Sequence, residues 1–525
     1  MTGPEPAEAA TGRGRDGARA EAGFIARAGR AIPDPIVLFL GLWVLVFLAS
    51  AALGGLTFEV PGPDGPTAEA VRSMATAEGV RWIFGNAILA NWLAFGGGVI
   101  GIILFIIMAV GVAEGTGLLG ALIKRAGAAV PERFLALAVV FLGIMSSLAS
   151  DAGYVVLVPL AGLLYARLGR HPLLGMAAAF AGVSAGFSAN LVPGTTSDVV
   201  IGLNARAFAE AAGIPFATAD GQPLNPVTMT YWFTAVSVVL LAPVGALVAT
   251  RVTAARLARL PFQLPPDLEA GSLKLSPAER RGLAAAGLGL LAALGFIVAL
   301  GLGPLRPFDD PATGARENPF LSNLVLLIGL AFIATGAAYG IAAGTVRSVM
   351  DIARAMIAQM NTMGYVVVLS FFAYNALALV SHTRLGALVT ALGASGLLAL
   401  GLEDAPVLLL VGFVLTTAAI NLFVGGLTSK WLLLGPLFVP MLYAVSPALT
   451  PDVVAAAYRV GDSVTNVITP MMFYSGIILA FMRRYVPSFS LGELFALMFP
   501  YAVAFLIAWT ALLVLFFLLG IPLGF

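Results

Sequence analysis

No cysteine stands in the 525 residues, and only two histidines do. Without thiols there are no disulfides, thiolate metal centres or cysteine nucleophiles, and cysteine usage leaves the redox compartment undetermined. Charge is scarce as well. Asp, Glu, Lys and Arg make up 10% of the chain, against about a quarter in a soluble domain, too little to coat a water-facing surface. A formal net charge of +1 provides no basic face to neutralise a run of phosphates, which argues against nucleic acid as a partner. The chain has no GxxxxGK[ST] loop for ATP and no HExxH metal helix, so neither ATP-driven transport nor zinc hydrolysis has its usual motif.

Apolar residues are what the chain has instead: 60% of it, with a mean hydropathy of +0.98. Apolar runs long enough to cross a hydrocarbon core of roughly 30 Å recur along the sequence. A barrel would need short alternating strands, so the fold expected is an all-α integral membrane protein. Spans are expected at residues 36–56, 97–123, 171–204, 231–251, 282–302, 321–341, 361–380, 459–482 and 494–519. Residues 1–30, rich in Gly, Ala, Glu and Arg, read as a disordered cytoplasmic tail with no removable signal peptide, and 31–525 as one transmembrane domain. Segments 81–95 and 345–360 read as lying along the interface.

Two further apolar blocks, at about 134–167 and 406–443, are interrupted midway by SSLASDAGY (Ser146 to Tyr154) and GGLTSKW (Gly425 to Trp431). Backbone that leaves the helix at membrane depth is tolerated only inside protein or facing water, so each block reads as a re-entrant hairpin. Charge supports the layout, since short cytoplasmic loops collect Lys and Arg. Arg13, Arg15 and Arg19, then Lys124 and Arg125, then Arg256 and Arg259, then Arg483 and Arg484 fall on one side; Glu59, Glu69, Glu403 and Asp404 fall on the other. The expected topology is nine transmembrane helices plus two opposed re-entrant hairpins, with the N-terminus cytoplasmic and the C-terminus outside an inner membrane. Two full crossings per hairpin would keep the same parity, so it is the polar tips that argue for re-entry.

Each hairpin is followed by a span that breaks at polar residues: GFSANLVPGTTSD at about 171–204 and GDSVTNVITP at about 459–482. Two such units entering from opposite faces are the mark of an inverted repeat with two broken helices, whose freed N–H and C=O groups meet substrates and ions at the midplane. Asn190 and Asn466 are candidate substrate or ion contacts, and Pro193 and Pro470 shape the breaks; alternatively these residues only set a kink. Charges inside a membrane are costly and mark pathways. Here they are Asp151, Asp198, Lys430, Arg459 and Asp462, with Ser463 beside the last. Arg459 and Asp462, three apart, lie on one helix face and are expected to pair. Lys430 and Trp431 are placed to hold a carboxylate and an aromatic ring, though Trp431 also fits an ordinary interface aromatic. Asp151 is equally readable as a helix cap. His171 and His382 sit near expected span ends, which suits loops better than a metal site.

The stretches SDAGYVVLVPLAGLLYARLGRHPLLGMAAAFAGVSAGFSANLVPGT, GGLTSKWLLLGPLFVPML and AYRVGDSVTNVITPMM closely resemble the AbgT family of p-aminobenzoyl-glutamate transporters, from about residue 30 to the C-terminus. The resemblance implies a homodimer of the same nine-helix, two-hairpin build, moving p-aminobenzoyl-glutamate or exporting sulfonamide antimetabolites on a Na⁺ or proton gradient, with no cofactor. By position it assigns functional weight to Asp198, Trp431, Pro451, Arg459, Asp462 and Pro470, although Val199 follows Asp198 where the family has a proline. Its rivals are a dicarboxylate or metabolite symporter of the same architecture, a channel, and an integral membrane enzyme; the enzyme would need a metal or nucleophile constellation, and the sequence offers none.

Overall fold

A chain that must satisfy its own backbone in hydrocarbon adopts helix by default, and a computed structural model of the protein is mostly helical. It describes residues 34–525 apart from 61–66, 96–97, 129–130, 132–133, 147–152, 265–274, 310–315, 362, 425, 470–471 and 473. The expected tail, Asp151 and Pro470 therefore lie outside the described residues.

Among the described residues, seven helices are long and apolar enough to cross a membrane: Pro35–Leu53, Tyr231–Leu257, Pro277–Leu302, Leu324–Ala343, Gly364–His382, Leu427–Val445 and Leu491–Leu519. Leu427–Val445 is the second arm of the hairpin expected at 406–443; the other helices fall on expected spans. Elsewhere the structure corrects the sequence reading. The span expected at 97–123 is two helices, Val99–Gly115 and Leu118–Ala128, parted at Gly117, whose φ of +90° only glycine adopts freely. A helix not expected at all, Leu385–Ala399, fills the stretch before residue 406. Nor is the chain purely helical, because two short antiparallel ribbons, Thr57–Val60 with Thr67–Ala70 and Phe308–Asp309 with Arg316–Glu317, close loops between helices.

The first hairpin block folds as Leu135–Met145 and Val158–Arg167. At 1.5 Å per residue each arm is only about 16 Å long, half of a roughly 30 Å hydrocarbon core. The second runs as Pro406–Asn421, a turn, and Leu427–Val445 with Pro436 and Pro440 inside it. Both interrupted spans are interrupted as expected, with shifted limits. The first continues from Pro172–Phe180 through a wide turn at Ala181–Ala185, unwinds, and resumes as Thr196–Ala212, past the expected end at 204 to a left-handed Gly213 cap. The second begins at Pro451 instead of 459, because a proline at the first helical position lacks only an N–H the helix does not use. It runs to Val464, breaks, and resumes as Tyr474–Arg483.

Packing places the breaks at the centre. The Pro451–Val464 helix touches Pro406–Asn421, Leu427–Val445, Thr196–Ala212 and Leu491–Leu519, and all of its residues are buried. Small residues allow the close crossings. A Cβ on Gly182 of the first interrupted span would sit 2.9 Å from the Gly143 Cα of the first hairpin, nearer than two carbons pack. Pro277–Leu302 lies at the other extreme, with only 6% of its apolar window buried, so the face that meets lipid or another chain is on that side.

Candidate functional site

The first half of the site is built by the start of Thr196–Ala212. Thr195 and Asp198 form a capping box: the Thr195 N–H and Oγ1 donate to Asp198 Oδ2 at 2.9 and 2.8 Å, and the Asp198 N–H donates back to Thr195 Oγ1 at 3.3 Å. A carboxylate there is favoured by the helix dipole. Its other oxygen is free to receive a cation, and Arg459 Nη2 donates to Asp198 Oδ1 at 2.6 Å and to the Ser188 carbonyl at 2.9 Å. Asn190 Nδ2 stands 3.4 Å from the same carboxylate oxygen. Pro193 lies in the unwound turn between Asn190 and Thr195.

The second half forms where the second hairpin turns. Lys430, in the opening turn of Leu427–Val445, donates to Asp462 Oδ1 at 2.7 Å and to Asn421 Oδ1. Asn421 ends the preceding arm, and its Nδ2 lies within 2.7 to 2.9 Å of the Asp462 carbonyl, Thr465 Oγ1 and Asn466 Oδ1. Asn466 in turn reaches the first broken span, with its Nδ2 3.4 Å from the Ser184 carbonyl. Trp431 joins the halves. Fully buried, it donates Nε1 to the Ile201 carbonyl at 3.0 Å and packs between Tyr458, ring centres 4.6 Å apart, and Phe208 at 5.7 Å. Tyr458 OH donates to the Leu427 carbonyl at 2.5 Å.

The expected Arg459–Asp462 pair is not made. Side chains three apart on a helix share a face but fan out by about 60°, and each finds a partner on a different element: Arg459 on the first broken span, Asp462 on the second hairpin. The result is two crossed, deeply buried ion pairs whose four charges sum to zero. Removing one member of such a pair costs roughly 3 to 5 kcal/mol, because the other is left as an uncompensated buried charge.

Other sequence expectations map more simply. Trp431 is no interface aromatic, since none of it is exposed. Pro451 opens its helix after Thr450, His171 caps Pro172–Phe180 by accepting from the Leu173 N–H, and His382 stacks on Trp82 at 4.0 Å. Ser463 Oγ is buried with no protein partner among the described residues, as are Ser184 Oγ, Ser188 Oγ, Asn190 Oδ1 and Arg459 Nε. Buried polar atoms left unpaired cost about 1 to 3 kcal/mol each, so this cluster at the meeting of the breaks favours polar ligands. Sequence reasoning missed Asn421 and Tyr458. The first is the lone amide closing an apolar helix before a glycine turn; the second directly precedes Arg459. Beside the site, a cavity of about 990 Å³ is lined by Phe208, Ala211, His382, Arg384, Pro436 and Tyr443 among others, and Phe208 is the partition between it and Trp431.

Two interrupted helices crossing over buried charges inside an apolar helical body define a class, the membrane transporter. The sequence model of the AbgT putative transporter family matches residues 22–525. A curated relative, the p-aminobenzoyl-glutamate transport protein of Escherichia coli (strain K12), is 30% identical over 507 residues, 96% of this chain and 95% of that one. Two solved structures superimpose with TM-scores of 0.83. One is the Alcanivorax borkumensis YdaH transporter, at 35% identity over 94% of this chain and 100% of that one. The other is Neisseria gonorrhoeae MtrF, described among a class of antimetabolite efflux pumps, at 34% identity over 94% and 96%. The chain belongs to the AbgT family: it is an integral membrane transporter of small molecules.

Proposed function

We propose that this chain is a secondary transporter of aromatic compounds bearing a carboxylate, p-aminobenzoyl-glutamate and sulfonamide-type antimetabolites among them, driven by a Na⁺ or proton gradient. The observation that carries the reading is the Arg459 guanidinium at the crossing of the two breaks, seated on Asp198. A substrate carboxylate is the natural competitor for that guanidinium, because both present two oxygens to a planar fork of donors. Trp431 is the wall for the aryl ring, reached from the cavity side when Phe208 turns aside. Asp198 and Asp462 are the coupling carboxylates. In the resting conformation both are neutralised internally, which suits an empty carrier that must change its facing without a bound ion. Opposed hairpins, nine spans and a homodimer complete the proposal, and uptake and efflux in proteoliposomes under imposed gradients test its direction and driving ion.

Arg459→Lys keeps the charge but not the planar two-point contact. Binding of p-aminobenzoyl-glutamate to the purified variant is expected to weaken about 10- to 100-fold, the loss of one or two charge-assisted hydrogen bonds, while an analogue without the glutamate carboxylates binds almost as before. Equal losses for both compounds would assign Arg459 to the fold. A symporter of dicarboxylates would instead be competed by small diacids and not by the aryl amide.

The orientation, N-terminus cytoplasmic and C-terminus outside, is tested by alkaline phosphatase fused after Phe525. The fusion is expected to be active, as the enzyme is only outside the cytoplasm; an inactive fusion with normal expression would mean a miscounted span.

A further inference from the structure

We infer that the Lys430 ammonium is a tethered cation filling a monovalent-cation site made by Asp462 and Asn421, so that no free Na⁺ binds at Asp462 while the lysine is seated. The inference rests on the proposed role of Asp462 as a coupling carboxylate and specifies which cation it holds.

The surroundings of the ammonium are those of a small hard cation. Nζ faces a carboxylate oxygen of Asp462 at 2.7 Å and the amide oxygen of Asn421, oxygens of the kind that hold Na⁺ at helix breaks in transporters. The neighbouring residue on the broken helix adds Ser463 Oγ, buried and without a protein partner among the described residues, as a further oxygen close to the site. Both charged side chains are 1% exposed. Bulk water therefore supplies neither counter-ion nor screening, and a buried carboxylate in this position needs a cation of some kind.

Nothing local calls for a lysine. Gly426 caps the Leu427–Val445 helix with φ +83°, and Lys430 follows in its opening turn, where the positive end of the helix dipole opposes a cation. The compensation comes from across the interface, from the end of one hairpin arm and from the broken helix. The tether also sets a difference from a diffusing ion. A free Na⁺ would leave with the conformational change that opens the site, whereas Nζ moves with the second hairpin, and a second cation at the same carboxylate would meet its full charge at contact distance.

The test uses the full chain purified in detergent. Binding of radioactive ²²Na⁺ is measured together with the melting temperature in NaCl against choline chloride at equal ionic strength. Wild type and Lys430→Arg are expected to show no Na⁺-specific change. Lys430→Met is expected to take up Na⁺ saturably, approaching about one ion per chain, and to gain about 2 to 4 °C in melting temperature as the ion binds the folded state only. Lys430→Met/Asp462→Asn is expected to lose both effects while remaining folded, since the pair is then removed from both sides. Saturable Na⁺ binding by wild type that disappears in Asp462→Asn would overturn the inference. So would a folded Lys430→Met that stays indifferent to Na⁺, or one that NaCl does not rescue while the double variant folds. These readouts are independent of transport. If Asp462→Asn carries substrate at wild-type rate with unchanged ion dependence, the coupling role fails, and the binding result still decides what occupies the site.

Discussion

Arg459→Met is expected to lower the folded yield and melting temperature sharply and to abolish transport, and adding Asp198→Asn is expected to return the stability without the transport. The single variant keeps most of the side-chain volume but strips Asp198 of its cation at 2.6 Å, leaving a carboxylate that is 6% exposed held only by Thr195 and Asn190. An orphaned buried charge costs roughly 3 to 5 kcal/mol, whereas removing both partners is often close to neutral. The double variant retains the capping box geometry through the Asn side chain, and it lacks the guanidinium that the proposal assigns to substrate. Melting curves of the purified proteins, with uptake in proteoliposomes alongside, check both halves. A double variant as unstable as the single one would show that Arg459 stabilises through its bond to the Ser188 carbonyl and its packing, and not through Asp198.

Gly461→Leu is expected to reduce transport to background, and Gly461→Ala to reduce it at least about tenfold while the protein still folds. Gly461 lies between Arg459 and Asp462, and a Cβ there would stand 2.5 Å from the Val414 carbonyl oxygen and 2.6 Å from Thr417 Cβ. Both belong to Pro406–Asn421, the hairpin arm that ends in Asn421. Backbone on both sides leaves no flexible side chain to give way, so the helices must separate. Overpacking of this kind costs about 1 to 3 kcal/mol, but the larger effect is geometric, because a displacement near 1 Å is enough to cost about a hundredfold where groups must be aligned. Uptake rates and melting temperature measured on the same preparations separate the two. Wild-type uptake by Gly461→Ala would mean that the spacing of helix and hairpin is not what holds the charges in place.

The charges themselves were legible in the sequence for a physical reason: in an apolar span an aspartate, a lysine or an arginine has no cheap explanation, so Asp198, Lys430, Arg459 and Asp462 stood out at once. Their partners were not legible. Proximity along a helix favours Arg459 with Asp462, but tertiary neighbours offered each a closer and more completely hydrogen-bonded partner, and nothing in a string of residues reports which elements cross. Asn421 was missed because an amide at a helix end is ordinary until Lys430 is seen against it. Leu385–Ala399 was missed because its 15 residues fall short of a membrane crossing of about 20, and because it starts directly after Arg384, which takes φ +63° and is the non-glycine residue with positive φ among those described. The breaks were legible as polar clusters; their limits were set by Pro451 and Gly213, which the sequence reading did not weigh as helix punctuation.

Arg459 and Asp462 stand on one short, fully enclosed helix, yet they grip different parts of the molecule. Such a helix works as an interlock. Turning it to free the arginine from the first broken span also drags the aspartate across the second hairpin, so neither latch opens independently of the other. A carrier built this way resists slippage: a substrate that unseats one latch loads the other, and a stray cation that tugs at Asp462 meets the resistance of a guanidinium clamped on the far side of the same rod.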